Sequence, residues 1–326
     1  MRAAYYEANG AAADVLKIGE VETPRPGPGE VLVRIKTSGV NPSDVKNRAG
    51  TTAKMAFPRV IPHSDGAGEI EEVGEGVAAA RVGERVWTWN AAFGRPFGTA
   101  AEYVVLPAAQ AVPLPATTSF DEGACLGIPA MTAWHAVAVA GLPEQGGTVL
   151  ISGGAGAVSQ HAIQFAKARG ATVITTISSP AKAKIAHDLG ADHTIDYKRE
   201  DVAQRVMEIA GKGGVNAILE MDFNTNAKLI PVLQPHGTAV IYGITGLEAQ
   251  FSARYCLTNA ITLKFIMVYR LNDRERAAAV EGINRMLEEG RLITNVPLTL
   301  PLADIAAAHV AVETGQLIGN AVLRLG

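Results

Sequence analysis

The feature that most constrains this chain is a glycine-rich turn between a strand-like run and a helix-like run. The stretch TVLISGGAGAVS starts at Thr148 with an apolar strand pattern, and Gly153, Gly154 and Gly156 follow it. Glycines at such a turn let the backbone approach a pyrophosphate, whose charge the positive end of the next helix meets. Ser159 stands where the dinucleotide-binding fingerprint has its third glycine. The turn predicts a dinucleotide site, and the alternative is a glycine-rich turn in an α/β domain that binds nothing.

The strand and helix patterns around this turn alternate from about residue 149 to 262. TVLISG precedes a predicted helix over 157–169, and TVITTI precedes a second over 180–189. Gly170 and Gly190 follow these helices, as glycine does at helix ends. NAILEM and TAVIYG continue as apolar strands. Alternating strands and helices imply right-handed crossovers and a doubly wound parallel sheet of Rossmann type, so the predicted fold class is α/β.

The chain on either side of this segment has a different rhythm. Up to about residue 118, short apolar runs are cut by turns, as in VLKIGEVETPRPGPGEVLVRIKTSGV, which predicts a barrel-like β-rich domain. After 262 come a strand, LKFIMV, predicted helices over 273–289 and 302–314, and a closing strand, AVLRL. This tail is too small to stand alone. We therefore expect a β-rich domain of residues 1–118 and 263–326 and a nucleotide-binding domain of residues 119–262.

Composition excludes several classes of protein. The 326 residues carry a net charge of −3 and are 48% hydrophobic, which gives no reason to expect nucleic acid or an anionic membrane as a partner. The N-terminus lacks the pattern of a secretion signal, and no run of 18 apolar residues predicts a membrane span. The two cysteines, Cys125 and Cys256, are far apart, which argues against a disulfide framework. We expect a cytoplasmic protein.

The end of the second strand of the nucleotide-binding segment indicates the cofactor. NAD sites usually place Asp or Glu there, to bind the ribose 2′-hydroxyl. Here the strand runs from Thr176 into Ser178 and Ser179, and Lys182 follows. Hydroxyls and a cation suit the 2′-phosphate of NADPH, and a charge-assisted contact contributes about 1.5–3 kcal/mol. The alternative is that the serines cap a helix ahead of Pro180 and that the lysine is solvated.

Taken together, these segments resemble the zinc-independent medium-chain dehydrogenase/reductase superfamily, and within it the NADPH:quinone oxidoreductases of the ζ-crystallin type. The resemblance covers essentially the whole chain. It rests on the glycine turn and on GEVLVRIKTSGVNPSDVKNRAG, GAGEIEEVGEGV, RVGERV, GTAAEYVVLPA, GACLGIPAMTAW, LGADHTIDYKRED, LEMDFNTN and HGTAVIYG. It implies a GroES-like β-rich domain, completed by the tail, with the Rossmann domain inserted. It also implies a homodimer in which the apolar strand over 261–268 pairs across a two-fold axis, although burial under the C-terminal helix would explain that strand equally.

The resemblance also bears on metal binding. In zinc-dependent relatives, a Cys, a His-Glu pair and a second Cys or Asp hold the catalytic zinc, and a four-cysteine lobe holds a structural one. Here these positions fall on Asn41 and Ser64–Asp65, and the four-cysteine lobe is absent. His63 lies one residue from a ligand position without partner ligands, so we expect a structural histidine and no metal. The acceptor must then be electrophilic by itself, as quinones and α,β-unsaturated carbonyls are.

Three positions are candidate catalytic residues by the same resemblance. Asn41 in GVNPSD matches the cleft asparagine of the family, which would donate to the substrate oxygen, or it caps the following turn. Lys46 stands where the family often has a tyrosine, and it either favours a polar or anionic acceptor or is a surface lysine. Thr132 in IPAMTAW matches the position beside the nicotinamide, with a helix cap as the alternative.

The cofactor candidates extend beyond the glycine turn. Tyr197 matches a position near the adenine ribose phosphate, Tyr242 ends a parallel strand, and Asn320 replaces a polar contact of relatives. The full set is Gly153, Gly154, Ala155, Gly156, Ala157, Val158, Ser178, Ser179, Lys182, Tyr197, Tyr242, Gly243, Ile244 and Asn320. The predicted function is hydride transfer from NADPH to a quinone. Two alternatives stay open: reduction of alkenals, enones or enoyl thioesters, and a non-catalytic NADPH-binding role.

Overall fold

The computed structural model describes residues 1–52, 54–144, 146–315 and 317–325. Its strands are β1 (Arg2–Tyr5), β2 (Lys17–Glu20), β3 (Glu30–Val40), β4 (Asp65–Val73), β5 (Arg85–Thr88), β6 (Tyr103–Pro107), β7 (Ala111–Pro113), β8 (Gly147–Ile151), β9 (Ala171–Ile177), β10 (His193–Asp196), β11 (Val215–Glu220), β12 (Leu233–Ile241), β13 (Thr262–Phe265), β14 (Leu298–Pro301) and β15 (Ala321–Arg324). Its α-helices are α1 (Ala12–Val15), α2 (Pro42–Ala49), α3 (Phe120–Gly123), α4 (Met131–Ala138), α5 (Ala157–Ala168), α6 (Pro180–Asp188), α7 (Val202–Ala210), α8 (Phe223–Asn226), α9 (Ala253–Thr258), α10 (Asp273–Glu288) and α11 (Ile305–Glu313).

The chain divides into two compact units. The first unit comprises Met1–Pro129 and Val280–Gly326, and the second comprises Ala130–Ala279. The domain limits expected from the sequence, after residues 118 and 262, stay a prediction. None of the helices in the described part of the chain is long and apolar enough to cross a membrane.

The second unit contains the predicted parallel sheet, in the order β10-β9-β8-β11-β12-β13. Val149, Leu150 and Ile151 of β8 are fully buried, as expected for a strand covered on both faces. The strand order reverses between β8 and β11, and ligands of such sheets bind beyond the carboxyl ends of the strands at this point. The α/β fold class predicted from the sequence is therefore confirmed.

The helices of the second unit begin and end where local signals place them. Ser179 caps α6 by accepting a hydrogen bond from the backbone N–H of Lys182, with Pro180 at the first helical position. Gly170 and Gly190 adopt the positive φ angles of +76° and +104° after α5 and α6. Each helix ends one residue before the predicted limit, because its last predicted residue has C-cap geometry.

The first unit is built around a mainly antiparallel β sheet in which only the pair formed by the last two strands, β14 and β15, is parallel among the described residues. Its strands follow the order β14-β15-β3-β4-β5-β7, β6 also pairs with β3, and β1 pairs with β2. The last strand, β15, pairs with β3, so the N-terminal and C-terminal segments of this unit share one sheet. In the β3–β4 ladder, Gly39 lies opposite Asp65 and Ser38 lies opposite Gly66. This register places Asn41, which follows β3, close to Asp65, the first residue of β4.

Two segments near the end of the chain differ from the predicted elements. The strand predicted over LKFIMV ends at Phe265, and a 3₁₀ turn follows at Val268–Arg270. This strand, β13, lies at the sheet edge with Phe265 63% exposed, so burial under a helix does not explain its apolar sequence. Pairing across a two-fold axis stays a prediction. The helix predicted over 302–314 starts with a 3₁₀ turn and becomes α-helical only at Ile305.

Candidate active site

The glycine loop follows β8 and is tied to the neighbouring strand β9. The N–H of Gly153 donates to Oγ1 of Thr176 at 2.9 Å, and the N–H of Gly154 donates to the carbonyl oxygen of Thr176 at 2.9 Å. A Cβ on Gly154 would lie 2.3 Å from Oγ1 of Thr175, so this close approach requires glycine. Gly153 has a φ of +64°, and Gly156 is the N-cap of α5. The loop therefore ends on the first turn of a helix.

The first turn of α5 offers backbone donors to an anion. The N–H groups of Gly153, Gly154 and Gly156 are bonded within the protein, the last to the carbonyl oxygen of Gly153 at 2.9 Å. Ala157 and Val158 are the first helical residues, and N–H groups at such positions have no partner within a helix. These groups and the positive end of the helix dipole suit a phosphate group.

The serine that replaces the third fingerprint glycine is fully accommodated. Ser159 is 1% exposed, and its Oγ donates to the carbonyl oxygen of Ser152 at 2.8 Å. Its oxygen therefore accepts from the hydroxyl of Tyr242, 3.3 Å away. The Oγ of Ser152 donates to Oε2 of Glu220 at 2.5 Å. Burial raises the pKa of Tyr242, which keeps this phenol a donor. The departure from the fingerprint thus adds hydrogen bonds beneath the loop.

Polar residues after β11 organise the other side of this edge of the sheet. The buried carboxylate of Glu220 accepts hydrogen bonds from the N–H of Asp222 at 2.6 Å and from Nδ2 of Asn226 at 3.0 Å. The Oδ1 of Asn224 accepts from the N–H groups of Thr245 and Gly246. Asn226 and Asn224 therefore use these side-chain groups for hydrogen bonds within the protein. Glu220 was not predicted, although an acid at the end of a buried strand was a signal that could have found it.

Met221 brings the glycine loop and the end of β12 together. A Cβ on Gly153 would lie 2.6 Å from its Sδ, and a Cβ on Gly243 would lie 1.9 Å from its carbonyl oxygen. Ile244, the next residue, is 50% exposed. The predicted residues Gly153–Val158 and Tyr242–Gly243 are therefore neighbours in the structure.

The residues predicted to bind the 2′-phosphate gather at the end of β9. Nζ of Lys182 donates to Oγ of Ser178 at 3.2 Å. Tyr197 follows β10 and its N–H donates to the carbonyl oxygen of Ile177 at 3.2 Å, which places it beside Ser178 with its side chain 52% exposed. Ser179 acts as the helix cap, the alternative reading of that position. A lysine and a hydroxyl thus stand together where NAD sites have an acid.

Asn41 in the first unit is a buried helix cap between two carboxyl groups. Its Nδ2 donates to Oδ2 of Asp65 at 2.9 Å, and its N–H donates to Oδ2 of Asp44 at 2.8 Å. Burial raises the pKa of Asp44 to about 7 and that of Asp65 well above its ordinary value. Neither acid was predicted as part of the site. The Asn-x-x-Asp spacing of a capping box was a signal for Asp44.

Three further candidates are Lys46 and Asn320 in the first unit and Thr132 in the second. Lys46 is exposed in the last turn of α2, and Thr132 is buried in the first turn of α4. Asn320 is 6% exposed, and both its N–H and its Nδ2 donate to the carbonyl oxygen of Asn295 at 3.0 Å. Asn320 therefore holds a neighbouring loop of the first unit, and a cofactor role for it stays a prediction.

Comparison with known proteins gives consistent matches along the chain. The family described as "Alcohol dehydrogenase GroES-like domain" matches residues 27–116, and "Zinc-binding dehydrogenase" matches residues 157–284. A 2-haloacrylate reductase from Burkholderia sp is 32% identical over 316 residues, which is 93% of each chain. A quinone oxidoreductase from Pseudomonas aeruginosa is 30% identical over 320 residues, which is 95% of each chain. A mycobacterial protein whose structure was solved with NADPH is 28% identical, with a TM-score of 0.89 and full coverage of both chains.

The second of these family descriptions raises the question of zinc. The residues at the ligand positions are Asn41, Ser64 and Asp65, and the first is bonded through its amide nitrogen to the carboxyl of the third. Within the described ranges, no group of three or more His, Cys, Asp or Glu side chains is arranged to hold a metal ion. An amide nitrogen and a serine do not form a zinc donor set. The residues present therefore do not fit a catalytic zinc.

Proposed function

We infer that this chain, which belongs to the medium-chain dehydrogenase/reductase family of the quinone oxidoreductase type, transfers a hydride from NADPH to a quinone. One observation carries the proposal. The glycine loop is tied to Thr176 and opens α5, and Ser178 and Lys182 stand at the end of the same strand where an NAD site has an acid. A mycobacterial relative solved with NADPH supports the same cofactor.

The residues of the glycine loop fit a pyrophosphate. Gly153 and Gly154 lie against β9 and have no side chains of their own, so the loop backbone can approach a nucleotide closely. The N–H groups of Ala155, Ala157 and Val158 then bind the phosphate oxygens at the positive end of α5.

The 2′-phosphate is assigned to the end of β9. Lys182 and Ser178 provide a cation and a hydroxyl within 3.2 Å of each other, so both can bind one phosphate group. Tyr197 borders this site with an exposed ring. The contacts select a 2′-phosphorylated nucleotide because NADH has no group that would use the lysine.

NADPH, when bound, supplies the hydride. The protein orients the two reactants. In the part of the chain that the structure describes, no residues fit a zinc ion that would polarise a carbonyl. We assign Thr132 to the nicotinamide carboxamide, whose orientation determines the face that transfers. We assign Asn41, held by Asp65 and Asp44, to the acceptor oxygen. A quinone suits this arrangement because the incoming electrons delocalise onto its oxygen atoms.

The test is NADPH consumption with a panel of quinones, with matched panels of enones, enoyl thioesters and 2-haloacrylates. The proposal expects turnover with quinones, and a large preference for NADPH over NADH. Tight NADPH binding without turnover of any acceptor would instead establish a non-catalytic binding role. Turnover that requires added zinc would overturn the proposal.

A second candidate acceptor is an electron-poor alkene that carries a carboxylate. The relative from Burkholderia sp is a 2-haloacrylate reductase. Hydride addition to such an alkene is chemistry that NADPH can supply. Lys46 favours this candidate, because an exposed cation at a position that is often tyrosine in the family suits an anionic acceptor better than a neutral one. In the same panel, a kcat/KM for 2-haloacrylates above that for every quinone would establish this alternative.

A further inference from the structure

A continuous chain of buried polar side chains crosses the first unit and has no role in the proposed function as stated so far. Nδ1 of His63 lies 2.8 Å from Oγ of Ser38, and Nε2 of His63 lies 2.9 Å from Nε2 of His309 on α11. Oγ of Ser38 lies 2.8 Å from Oγ1 of Thr99, which lies 2.6 Å from the carbonyl oxygen of Asp65. All five residues are 0% exposed. We call them the histidine chain.

Only one arrangement of protons satisfies every bond of the histidine chain when both rings are neutral. The carbonyl oxygen of Asp65 can only accept, so the hydroxyl of Thr99 donates to it. Thr99 therefore accepts from Ser38, and Ser38 accepts from the Nδ1–H of His63. The lone pair of His63 is then on Nε2, and His309 must donate its Nε2–H to it.

Burial supports the neutral state of both rings. Removal from water lowers the pKa of His63 well below its ordinary value, and the neighbouring ring of His309 lowers it further. Burial lowers the pKa of His309 to about 3, with a smaller contribution from the guanidinium of Arg48. The two ring planes are inclined by only 23°, with centroids 5.1 Å apart and the Nε2 atoms 2.9 Å apart, so the rings meet edge to edge, as an N–H···N hydrogen bond requires.

The histidine chain holds a strained turn. His63 has a φ of +77°, a left-handed conformation that non-glycine residues adopt at an energetic cost. The N–H of Thr99 donates to the carbonyl oxygen of His63 at 3.0 Å, and its hydroxyl donates to the carbonyl oxygen of Asp65. Thr99 is therefore hydrogen-bonded to both ends of the segment 63–65. A Cβ on Gly98 would lie 2.1 Å from the carbonyl oxygen of His63, so the backbone at Gly98 packs directly against this turn.

The turn at His63 positions the carboxyl group of Asp65, which accepts a hydrogen bond from Nδ2 of Asn41. Gly39 of β3 lies opposite Asp65 of β4, and the pairs Ser38–His63 and Asn41–Asp65 tie the two strands together around it. A change in the ring of His63 would shift Asp65, and the amide of Asn41 would lose its fixed orientation.

We propose that His63 and His309 are positioning residues that orient Asn41 through Asp65. The inference rests on the proposed function, because it matters for turnover only if Asn41 contacts the acceptor. It assigns the C-terminal helix α11 a role in catalysis, although His309 itself touches neither substrate nor cofactor.

The test compares His309→Leu, which removes the N–H donor, with His309→Gln, which keeps one. We expect His309→Leu to lower kcat for the best acceptor roughly three- to tenfold, as the loss of one buried hydrogen bond allows, with the Kd of NADPH unchanged. His309→Gln should restore kcat to within about twofold of the wild type. Ile305→Val, on the same helix and 2% exposed, is the control: it removes packing but no hydrogen bond, and should lower Tm without changing kcat.

The protonation of the rings provides a readout that does not depend on turnover. In ¹⁵N NMR of the resting protein, His63 should carry its proton on Nδ1 and His309 on Nε2. In His309→Leu, His63 should keep its proton on Nδ1, because Ser38 still accepts it, and the Nε2 resonance of His63 should shift because that atom has lost its donor. A wild-type His63 protonated on Nε2 would overturn the inference, as would a His309→Leu enzyme with wild-type kcat. Absence of turnover in the wild type with the predicted tautomers intact would instead count against the proposed function.

Discussion

Lys182 provides the sharpest test of the nucleotide site, because it separates recognition of the 2′-phosphate from binding of the rest of the cofactor. Nζ of Lys182 donates a hydrogen bond to Oγ of Ser178 at 3.2 Å, so both groups can contact one phosphate. In Lys182→Ala, the loss of one charge-assisted contact should weaken NADPH by about 1.5–3 kcal/mol, or roughly 10- to 100-fold. NADH lacks the phosphate and should change by less than about twofold.

Charge reversal should extend this difference. In Lys182→Glu, a carboxylate about 5 Å from the phosphate repels it by roughly 3 kcal/mol per unit charge at an effective dielectric constant near 20, less the screening by salt. We therefore expect Lys182→Glu to weaken NADPH at least about tenfold more than Lys182→Ala does. The additional loss should shrink as the salt concentration rises.

The assay is equilibrium titration of each variant with NADPH and with NADH, followed by nucleotide fluorescence. Lys184→Glu is a matched control, since Lys184 lies on the same helix, is 75% exposed and pairs with Asp188 at 2.6 Å. It carries the same change of net charge and should leave the ratio of the two Kd values close to that of the wild type. Equal losses of NADPH and NADH in Lys182→Ala and Lys182→Glu would refute the assignment of the 2′-phosphate site.

Three further predictions concern the glycine loop, a buried acid and the acceptor. Gly154→Ala should weaken NADPH at least about tenfold, because its Cβ would lie 2.3 Å from Oγ1 of Thr175, whereas Gly213→Ala, in open space, should bind normally in the same titration. Burial raises the pKa of Asp44 from 3.8 to about 7. The contribution of this group to the free energy of unfolding is therefore fully present below about pH 4 and is lost as the pH rises to about 7. Asp44→Asn should remove about 4 kcal/mol of that fall in the free energy of unfolding, measured by urea denaturation across this pH range; a fall as steep as in the wild type would contradict the assignment. Lys46→Ala should raise KM for a 2-haloacrylate about threefold or more and leave KM for a neutral quinone unchanged, and parallel changes in both would assign Lys46 to the surface alone.

The candidate site shows how the proposed chemistry depends on contacts within each unit. The sequence predicted Asn41 as a donor to the substrate, with helix capping as the alternative. In the structure it caps α2 and its amide also holds Asp65. The two readings are compatible only if Asp65 fixes the amide in the orientation that the acceptor needs, which is the point that the His309 variants test.

What the sequence determined by itself is the local part of the architecture. A few neighbouring residues encode each of these features: the apolar runs of strand length and the turn from Gly153 to Gly156. The same holds for the helix cap at Ser179 and for the glycines that follow α5 and α6. Such signals depend on backbone conformation and on periodic burial, so they can be read without knowing the fold. They predicted the parallel sheet and the limits of α5 and α6 to within one residue, whereas the helix predicted from residue 302 becomes α-helical only at Ile305.

What only the tertiary structure decided is how residues far apart in the chain share hydrogen bonds. Tyr242 meets Ser159 across 83 positions, and His63 meets His309 across 246. The sequence marked Ser159 as a departure and His63 as a lone histidine, because no local pattern names a partner on a distant strand or helix. Their partners exist only once folding excludes water, since a buried donor or acceptor must then find another protein group, and the paired strands determine which group is within reach.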